Sequence, residues 1–486
     1  MARASAADAP LPIKGPVPRR LVFANGLGSV AYGIKDNGFS TFLLLFYNQV
    51  LGMDARLVSL ALLIALVFDG LIDPVVSYVS DRTRTRWGRR LPFLYFAPIP
   101  LGIAWWLLWS PSPGAASFPI LLAGAIAVRA AVACCEVPSA AMVPEITRDY
   151  DERTRLTRAR FLFAWGGGLL MLLLAYGVFL PNAMLARDGY RLYGITGAVL
   201  MVATVIASAI GMHKWAAYLP GKRPPNARAG IAGAFGEIFE SFRTPAFVIL
   251  MAAMAVAITS QGITFSISTY LMLFVWQFTP VWLQLYPVML FISVVGSFLL
   301  VAPMHLKLGK RDSAVVAGLV GMTFWVTPLT LRHFGLWWPD GTNAAIGVMF
   351  VFTFFSNLFS VIATMSIWSM VADVVEASEV ETGRRSEGTF SAGAFFASKC
   401  STGLGIFVTG YLLAYAGMPA GAKPGEVAPQ IVDDLAIAYV VCVFILAIGV
   451  ALIVRKFPIT RAQHEARLAL LADAAKADPE GTALHP

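Results

Sequence analysis

The chain has 486 residues, 58% of them apolar and only 13% charged, with a mean hydropathy of +0.70. That balance excludes a soluble domain, which at this length needs far more charge to cover its surface, and it points to a chain that crosses a membrane repeatedly. The net charge of +9 would suggest nucleic acid in a soluble protein. In a membrane protein basic loops set topology and touch anionic headgroups instead, so no nucleic-acid partner is expected.

Long apolar runs such as Leu57–Tyr78 and Leu192–Met212 are continuous rather than alternating with period 2. Backbone polar groups cannot stay unpaired in lipid, so continuous runs read as helices and exclude a closed barrel. In chain order the predicted spans are 21–50, 56–80, 91–111, 117–143, 158–180, 192–212, 246–276, 282–304, 313–332, 342–372, 388–417 and 432–455. The fold class is therefore an all-α integral membrane protein with twelve transmembrane helices.

The connections alternate in charge. Arg82, Arg84, Arg86, Arg89 and Arg90 follow span 2. Arg148, Arg153 and Arg155 follow span 4, Lys214, Lys222, Arg223 and Arg228 follow span 6, and Lys307, Lys310 and Arg311 follow span 8. The bias of basic residues toward the cytoplasm puts these loops and both termini there, in what reads as a bacterial cytoplasmic (inner) membrane. The longest internal connection, 213–245, carries Pro220, Pro224 and Pro225 and divides the spans six and six. The expected organisation is a cytoplasmic N-terminal segment (1–20), a six-helix bundle (21–212), the cytoplasmic linker (213–245), a second six-helix bundle (246–456) and a tail (457–486). Two six-helix halves around a central site form the major facilitator architecture. Segment 1–20 lacks an apolar core and does not read as a signal peptide. In the tail, Thr460–Gln463 has the capping-box pattern and predicts a short amphipathic helix on the cytoplasmic surface.

Charges inside the spans each need a reason, because a charge deep in a bilayer is costly. Span 1 holds Lys35 and Asp36. Adjacent helical residues point about 100° apart, so the two are expected to face different partners, Asp36 a polyhydroxylated substrate and Lys35 a helix boundary. A mutual pair is the alternative. Span 2 holds Asp69 and Asp73, four residues apart and so on one helix face about 6 Å from each other, with Pro74 freeing the carbonyl of residue 70. Two such carboxylates cannot both stay ionised alone. They share a proton, hold a cation or are neutralised by a basic residue. Span 4 holds Glu136, for which Arg160 at the start of span 5 is a candidate partner. Span 11 carries Lys399, which needs facing carboxylates to stay charged, and Asp69 and Asp73 are the natural ones. Cys134, Cys135, Cys400 and Cys442 lie in apolar helices without metal-like spacing and read as small hydrophobes. The five histidines lie in loops, at helix ends or in the tail, which argues against a histidine proton relay.

The run Asp69–Pro74, then Ser77 and Asp81-Arg-Thr-Arg-Thr-Arg-Trp-Gly-Arg-Arg-Leu-Pro92, resembles the glycoside–pentoside–hexuronide:cation symporters, the melibiose-permease-like branch of the major facilitator superfamily. Lys35-Asp36, Glu136-Val-Pro138, Val143-Pro-Glu-Ile-Thr147, Arg160-Phe161, Ala372-Asp-Val-Val-Glu376 and Lys399 extend the likeness over nearly the whole chain. The resemblance implies a cation site at Asp69 and Asp73 and a sugar site at Asp36, Glu136 and Arg160. It also implies a link between them at Lys399 (with Lys35) and gating loops at Asp81/Arg82 and Arg148–Arg155. Ser77 stands where the loop motif usually has glycine. Ile72 and Ala133 stand where sodium-using melibiose permeases have Asn and Thr, so two oxygen donors for sodium are missing and a proton is favoured as coupling ion, with sodium as the alternative. Ala140 stands where those permeases have an aromatic, which weakens any assignment to an α-galactoside.

The expected function is secondary active symport of a sugar or glycoside by a protein acting as a monomer, without cofactor. The alternatives are a carrier of a lysolipid or another amphipathic or zwitterionic solute, or a transporter-like sensor, whose mark would be an added signalling domain. An enzyme is not expected, since no nucleophile–base motif, metal cluster or phosphate loop is present in the sequence.

Overall fold

The computed structural model describes residues 13, 15–112, 114, 116–147, 149–180, 184–217, 242, 245–382 and 387–457, with the side chains of 150, 376–382 and 387–389 excepted. Arg148, most of the 213–245 linker and the predicted tail helix lie outside the described residues. Within them the structure is helical, with isolated bridges at Ile13–Thr147 and Thr85–Gly88.

The first span is built from α1 (Arg19–Leu27), α2 (Val30–Asn37) and two π-helical turns, Gly38–Phe42 and Phe46–Val50. Then come α3 (Ala55–Arg82), α4 (Leu91–Phe96), α5 (Pro98–Trp109), α6 (Phe118–Ile146), α7 (Tyr150–Leu174) and α8 (Arg187–Ala216). The later run comprises α9 (Pro245–Tyr270), α10 (Pro280–His333), α11 (Asn343–Thr382), α12 (Glu387–Tyr415) and α13 (Pro429–Arg455). Among the described residues nine helices are long and apolar enough to cross a membrane.

Local chemistry explains where the helices start and turn. Asp54 caps α3 by accepting from the Arg56 amide at 2.8 Å, and Asp149 caps α7 by accepting from the Glu152 amide at 2.9 Å. Helix α10 has 54 residues. At about 1.5 Å per residue it would be about 80 Å long, far beyond a hydrocarbon core of about 30 Å. It is two helices joined at Gly309, whose φ of 77° suits glycine, and the joint falls between predicted spans 8 and 9.

Close packing fixes how the spans meet. A Cβ on Gly33 would lie 1.7 Å from the Ala164 carbonyl oxygen, so α2 and α7 touch backbone to backbone there. Gly33→Val is expected to lower the melting temperature in detergent well beyond Gly166→Val, because nothing lies within 4 Å of a Cβ at Gly166. Overpacking of this kind costs about 1–3 kcal/mol or more. Equal melting temperatures for the two variants would show that this contact carries no stability. A second close seam joins α3 to α12, where a Cβ on Gly410 would lie 2.1 Å from Ser59 Oγ.

Apart from the Lys399–Asp73 contact within the bundle, the hydrogen bonds that join the helices before residue 217 to those after 245 gather at the end opposite the basic loops. Tyr270 donates its hydroxyl to Asn48 Oδ1 at 3.0 Å, Gln49 Nε2 donates to the Pro419 carbonyl at 3.1 Å, and the Gly421 amide donates to the Asn48 carbonyl at 3.2 Å. Asn48, Gln49 and Tyr270 are all buried. Among the described residues no hydrogen bond or ion pair joins the two runs at the basic-loop end.

Candidate functional site

The seam between α3 and α12 carries Lys399 to the carboxylates of α3. Its Nζ lies 2.5 Å from Asp73 Oδ2 and 3.1 Å from Asp69 Oδ2. The small residues along the seam permit this approach: a Cβ on Gly403 would meet Leu66 and Leu63, and one on Gly70 would meet the Phe396 ring. Asp69 is 1% exposed and Asp73 is partly buried, so the lysine faces both carboxylates in the interior, as the spacing of span 2 and the isolated lysine of span 11 predict. The geometry of an ionic tie between the two runs of helices is therefore present.

The structure adds a cation that the sequence reading passes over. Arg129 on α6 is 3% exposed; its Nη1 donates to Asp69 Oδ2 at 3.1 Å and lies 3.7 Å from Asp36 Oδ1. Its guanidinium carbon sits 4.2 Å from the centroid of the Phe39 ring, a cation–π contact. The signal was available. Arg129 precedes Glu136 by seven residues, two helical turns, which puts both on one face of α6.

Two expectations for this region are corrected. Lys35 lies in the last turn of α2 but not at the edge of the protein, and it does not face away from Asp36: the mutual pair, the alternative reading, is what forms. It is buried, with Nζ 2.9 Å from Asp36 Oδ1 and 3.5 Å from Glu136 Oε2. A buried ammonium needs carboxylates more than it needs the rotation that adjacency suggests, and its long stem lets it reach both. Arg160 does not pair with Glu136. Its Nη1 donates to Ser139 Oγ at 2.5 Å, one turn further along α6, and its guanidinium lies 5.9 Å from the Tyr32 ring centroid. Lys35 has taken the glutamate. Asp36, Glu136 and Arg160 are nevertheless neighbours around Tyr32 and Lys35, and Asp36 is 62% exposed. Buried polar atoms without a protein partner gather in the same region: Tyr32 Oη, Asp73 Oδ1 and Arg129 Nε. A buried polar atom without a partner is costly, and a polar ligand that pairs it is favoured accordingly.

The basic loop after α3 closes on its own half. Arg90 Nη2 lies 2.5 Å from Asp81 Oδ1 and 3.0 Å from Glu145 Oε1, and Arg89 Nη2 lies 2.5 Å from the same glutamate oxygen. Arg82 stacks on the Tyr78 ring at 4.0 Å. Arg155 pairs with Glu152 at 3.1 Å and donates to the Val17 carbonyl at 3.2 Å. These contacts link α3 to α6 and α7 to the start of the chain; none of them reaches the helices after residue 245. A concavity between Ser268, Met272, Trp325, Pro328 and Thr353 lies wholly within those later helices and carries no charge. The ion cluster, not that concavity, has the chemistry to bind an ion and a polar solute.

Comparison with known proteins agrees with this layout. An uncharacterized symporter of Synechocystis sp. is 26% identical, over 91% of this chain and 94% of its own. The putative glycoside/cation symporter YagG of Escherichia coli is 25% identical, over 91% of this chain and 92% of its own. Among solved structures, a D-xylose-proton symporter superposes with a TM-score of 0.65 at 14% identity, over 92% of this chain and 98% of that one, which shows the major facilitator fold. The sequence profile of the family described as MFS/sugar transport protein matches residues 24–461. The chain belongs to that family, and it is a membrane transporter rather than an enzyme.

Proposed function

We propose that the protein carries a sugar or glycoside in symport with a cation, by alternating access, as a monomer in a bacterial cytoplasmic membrane. The observation that carries this reading is the bridge from Lys399 to both Asp69 and Asp73 across the two runs of helices, beside the unpartnered Asp73 Oδ1. Asp69 and Asp73 serve as the cation site, and Lys399 couples its occupancy to the other half, with Lys35 linking Asp36 to Glu136. Asp36, Glu136 and Arg160 supply acceptors and donors for sugar hydroxyls. A proton is the favoured coupling ion over sodium, because Ile72 and Ala133 offer no oxygen where sodium would need ligands. The basic loops, with both termini, belong to the cytoplasm. The hydrogen bonds at Asn48, Gln49 and Tyr270 then seal the outer end, and this conformation faces inward.

The test is counterflow in proteoliposomes with a panel of labelled glycosides, with pH and sodium varied separately. Uptake driven by a pH gradient and indifferent to sodium is expected. Strong sodium stimulation at fixed pH and fixed membrane potential would reverse the choice of ion, and counterflow of none of the glycosides would overturn the substrate class. Two further outcomes follow. A reporter active only outside the cytoplasm is expected to be silent when fused after residue 486, and activity there would overturn the orientation. Glu136→Gln is expected to weaken substrate binding by about tenfold or more, the loss of one charge-assisted hydrogen bond worth about 1.5–3 kcal/mol. Unchanged affinity in a folded variant would make Glu136 structural.

A further inference from the structure

We propose that Arg129 is a tethered counter-cation: its guanidinium permanently occupies Asp69, removes that carboxylate from ion exchange and leaves Asp73 as the single carboxylate that takes the coupling ion. This inference rests on the reading of α3 as the coupling site. It concerns how many ions that site takes and of what kind.

The connections among the charges carry the argument. Lys35 touches Asp36 and Glu136, Arg129 touches Asp36 and Asp69, and Lys399 touches Asp69 and Asp73. They form one continuous network with three cations and four carboxylates, so it is one positive charge short. Arg160 stays outside it, on Ser139. Two carboxylates have one cation each: Glu136, which is 35% exposed to solvent, and Asp73, whose Oδ1 is buried without a partner, so the shortage falls at the Asp73 end. Asp69 Oδ2 already faces both Arg129 Nη1 and Lys399 Nζ at 3.1 Å, while Asp73 has Lys399 on one oxygen only and its Oδ1 has no partner. One monovalent cation or one proton completes the set.

Arg129 is suited to a permanent role. A guanidinium stays protonated in proteins, is weakly hydrated and stacks on aromatic faces, as this one does on Phe39. It is 3% exposed and covalently held, so it cannot leave when the carrier turns over. A lysine could lose its proton in such a place, and a free ion would dissociate. Two consequences follow from removing it. The network becomes two positive charges short, and the oxygens of Asp69 and Asp73, left with Lys399 alone beside them, become available to an alkali cation. Arg129 then sets ion stoichiometry and adds a fixed charge to the missing oxygens at Ile72 and Ala133 as a bar to sodium.

The test needs no substrate. Purified parent, Arg129→Ala, Arg129→Gln, Arg129→Lys and Arg129→Ala/Asp69→Asn proteins are melted in detergent, with sodium chloride replaced by choline chloride at constant ionic strength, and equilibrium binding of radioactive sodium is measured on the same samples. The parent is expected to show no sodium-specific shift, and neither is Arg129→Lys at a pH low enough to keep its ammonium charged. Arg129→Ala and Arg129→Gln are expected to gain a saturable sodium-specific rise in melting temperature and at least about tenfold tighter sodium binding, since a like charge beside a site opposes a second cation there. The double variant is expected to lose both gains. A saturable sodium shift in the parent overturns the proposal, and so does its absence from whichever of the Ala and Gln variants is folded and monodisperse. Because sodium alone is the probe, failure here leaves the glycoside counterflow result standing, and failure of that counterflow leaves this result readable.

Discussion

Proteoliposomes holding the Asp73→Asn protein are expected to exchange substrate across the membrane yet fail to concentrate it. Moving one charge through about 100 mV is worth about 2.3 kcal/mol. At about 1.4 kcal/mol per tenfold that corresponds to roughly fiftyfold accumulation of a neutral solute, and the variant is expected to lose all of it. The energy reaches the solute only if an empty ion site blocks the return of the loaded carrier. An uncompensated Asp73 does so, because carrying a bare carboxylate through a closed, dehydrated intermediate is costly. Binding the ion removes that cost and, by reciprocal coupling, favours the solute site connected to it through Lys399, Asp69, Arg129 and Asp36. The amide of asparagine is permanently neutral and mimics the protonated acid, so exchange and binding survive. Uptake against a gradient is the measurement, with counterflow as the control for a folded carrier. If Asp73→Asn and Asp69→Asn both still concentrate substrate like the parent, the coupling site lies elsewhere.

Much of this site was legible because intramembrane charge is rare and therefore informative. The i,i+4 carboxylates of α3 and the isolated lysine of α12 allow few arrangements, and the structure realises the one in which they meet. The family likeness rests on the same residues. Arg129 obeys the same logic, but it sits amid small apolar residues and its partners Asp36 and Asp69 lie far away along the chain. Other features have no sequence signal of that strength. Phe39, three residues after Asp36, shares its helix face, yet the sequence carries no signal that Arg129 of α6 packs over that ring, because the π-helical turn at Gly38–Phe42 alters the local geometry there. The choice of Lys35 over Arg160 as the partner of Glu136 depends on how side chains of α2 and α7 converge on α6, for which the sequence carries no signal. The turn at Gly309, by contrast, is legible: a glycine among basic residues after span 8 reads as a tight turn, and one residue at positive φ suffices to make it.

Lys399→Gln is expected to be the most damaging single change in the cluster, and a second substitution is expected to separate its two causes. Among the described residues the single variant removes the only cation on Asp73 and one of two on Asp69, and leaves a largely buried carboxylate unpaired. Breaking one side of a buried pair typically costs about 3–5 kcal/mol, and the partial exposure of Lys399 and Asp73 puts this site at or below the lower end of that range. It also removes the ionic tie between α3 and α12, so the melting temperature in detergent falls and accumulation is lost. In Asp73→Asn/Lys399→Gln both members are neutral amides of similar shape that can hydrogen-bond to each other, so most of the lost stability is expected to return. Asp69 keeps Arg129, so no carboxylate in the double variant is left bare. Accumulation is not expected to return, because the exchangeable charge is gone. Stability and coupling thus part company in one experiment: recovery of the melting temperature without recovery of uphill transport is the result this geometry requires. A double variant that stays as unstable as Lys399→Gln would mean that the lysine supports the fold through its packing along the α3–α12 seam, and one that again concentrates substrate would remove Asp73 from the coupling mechanism.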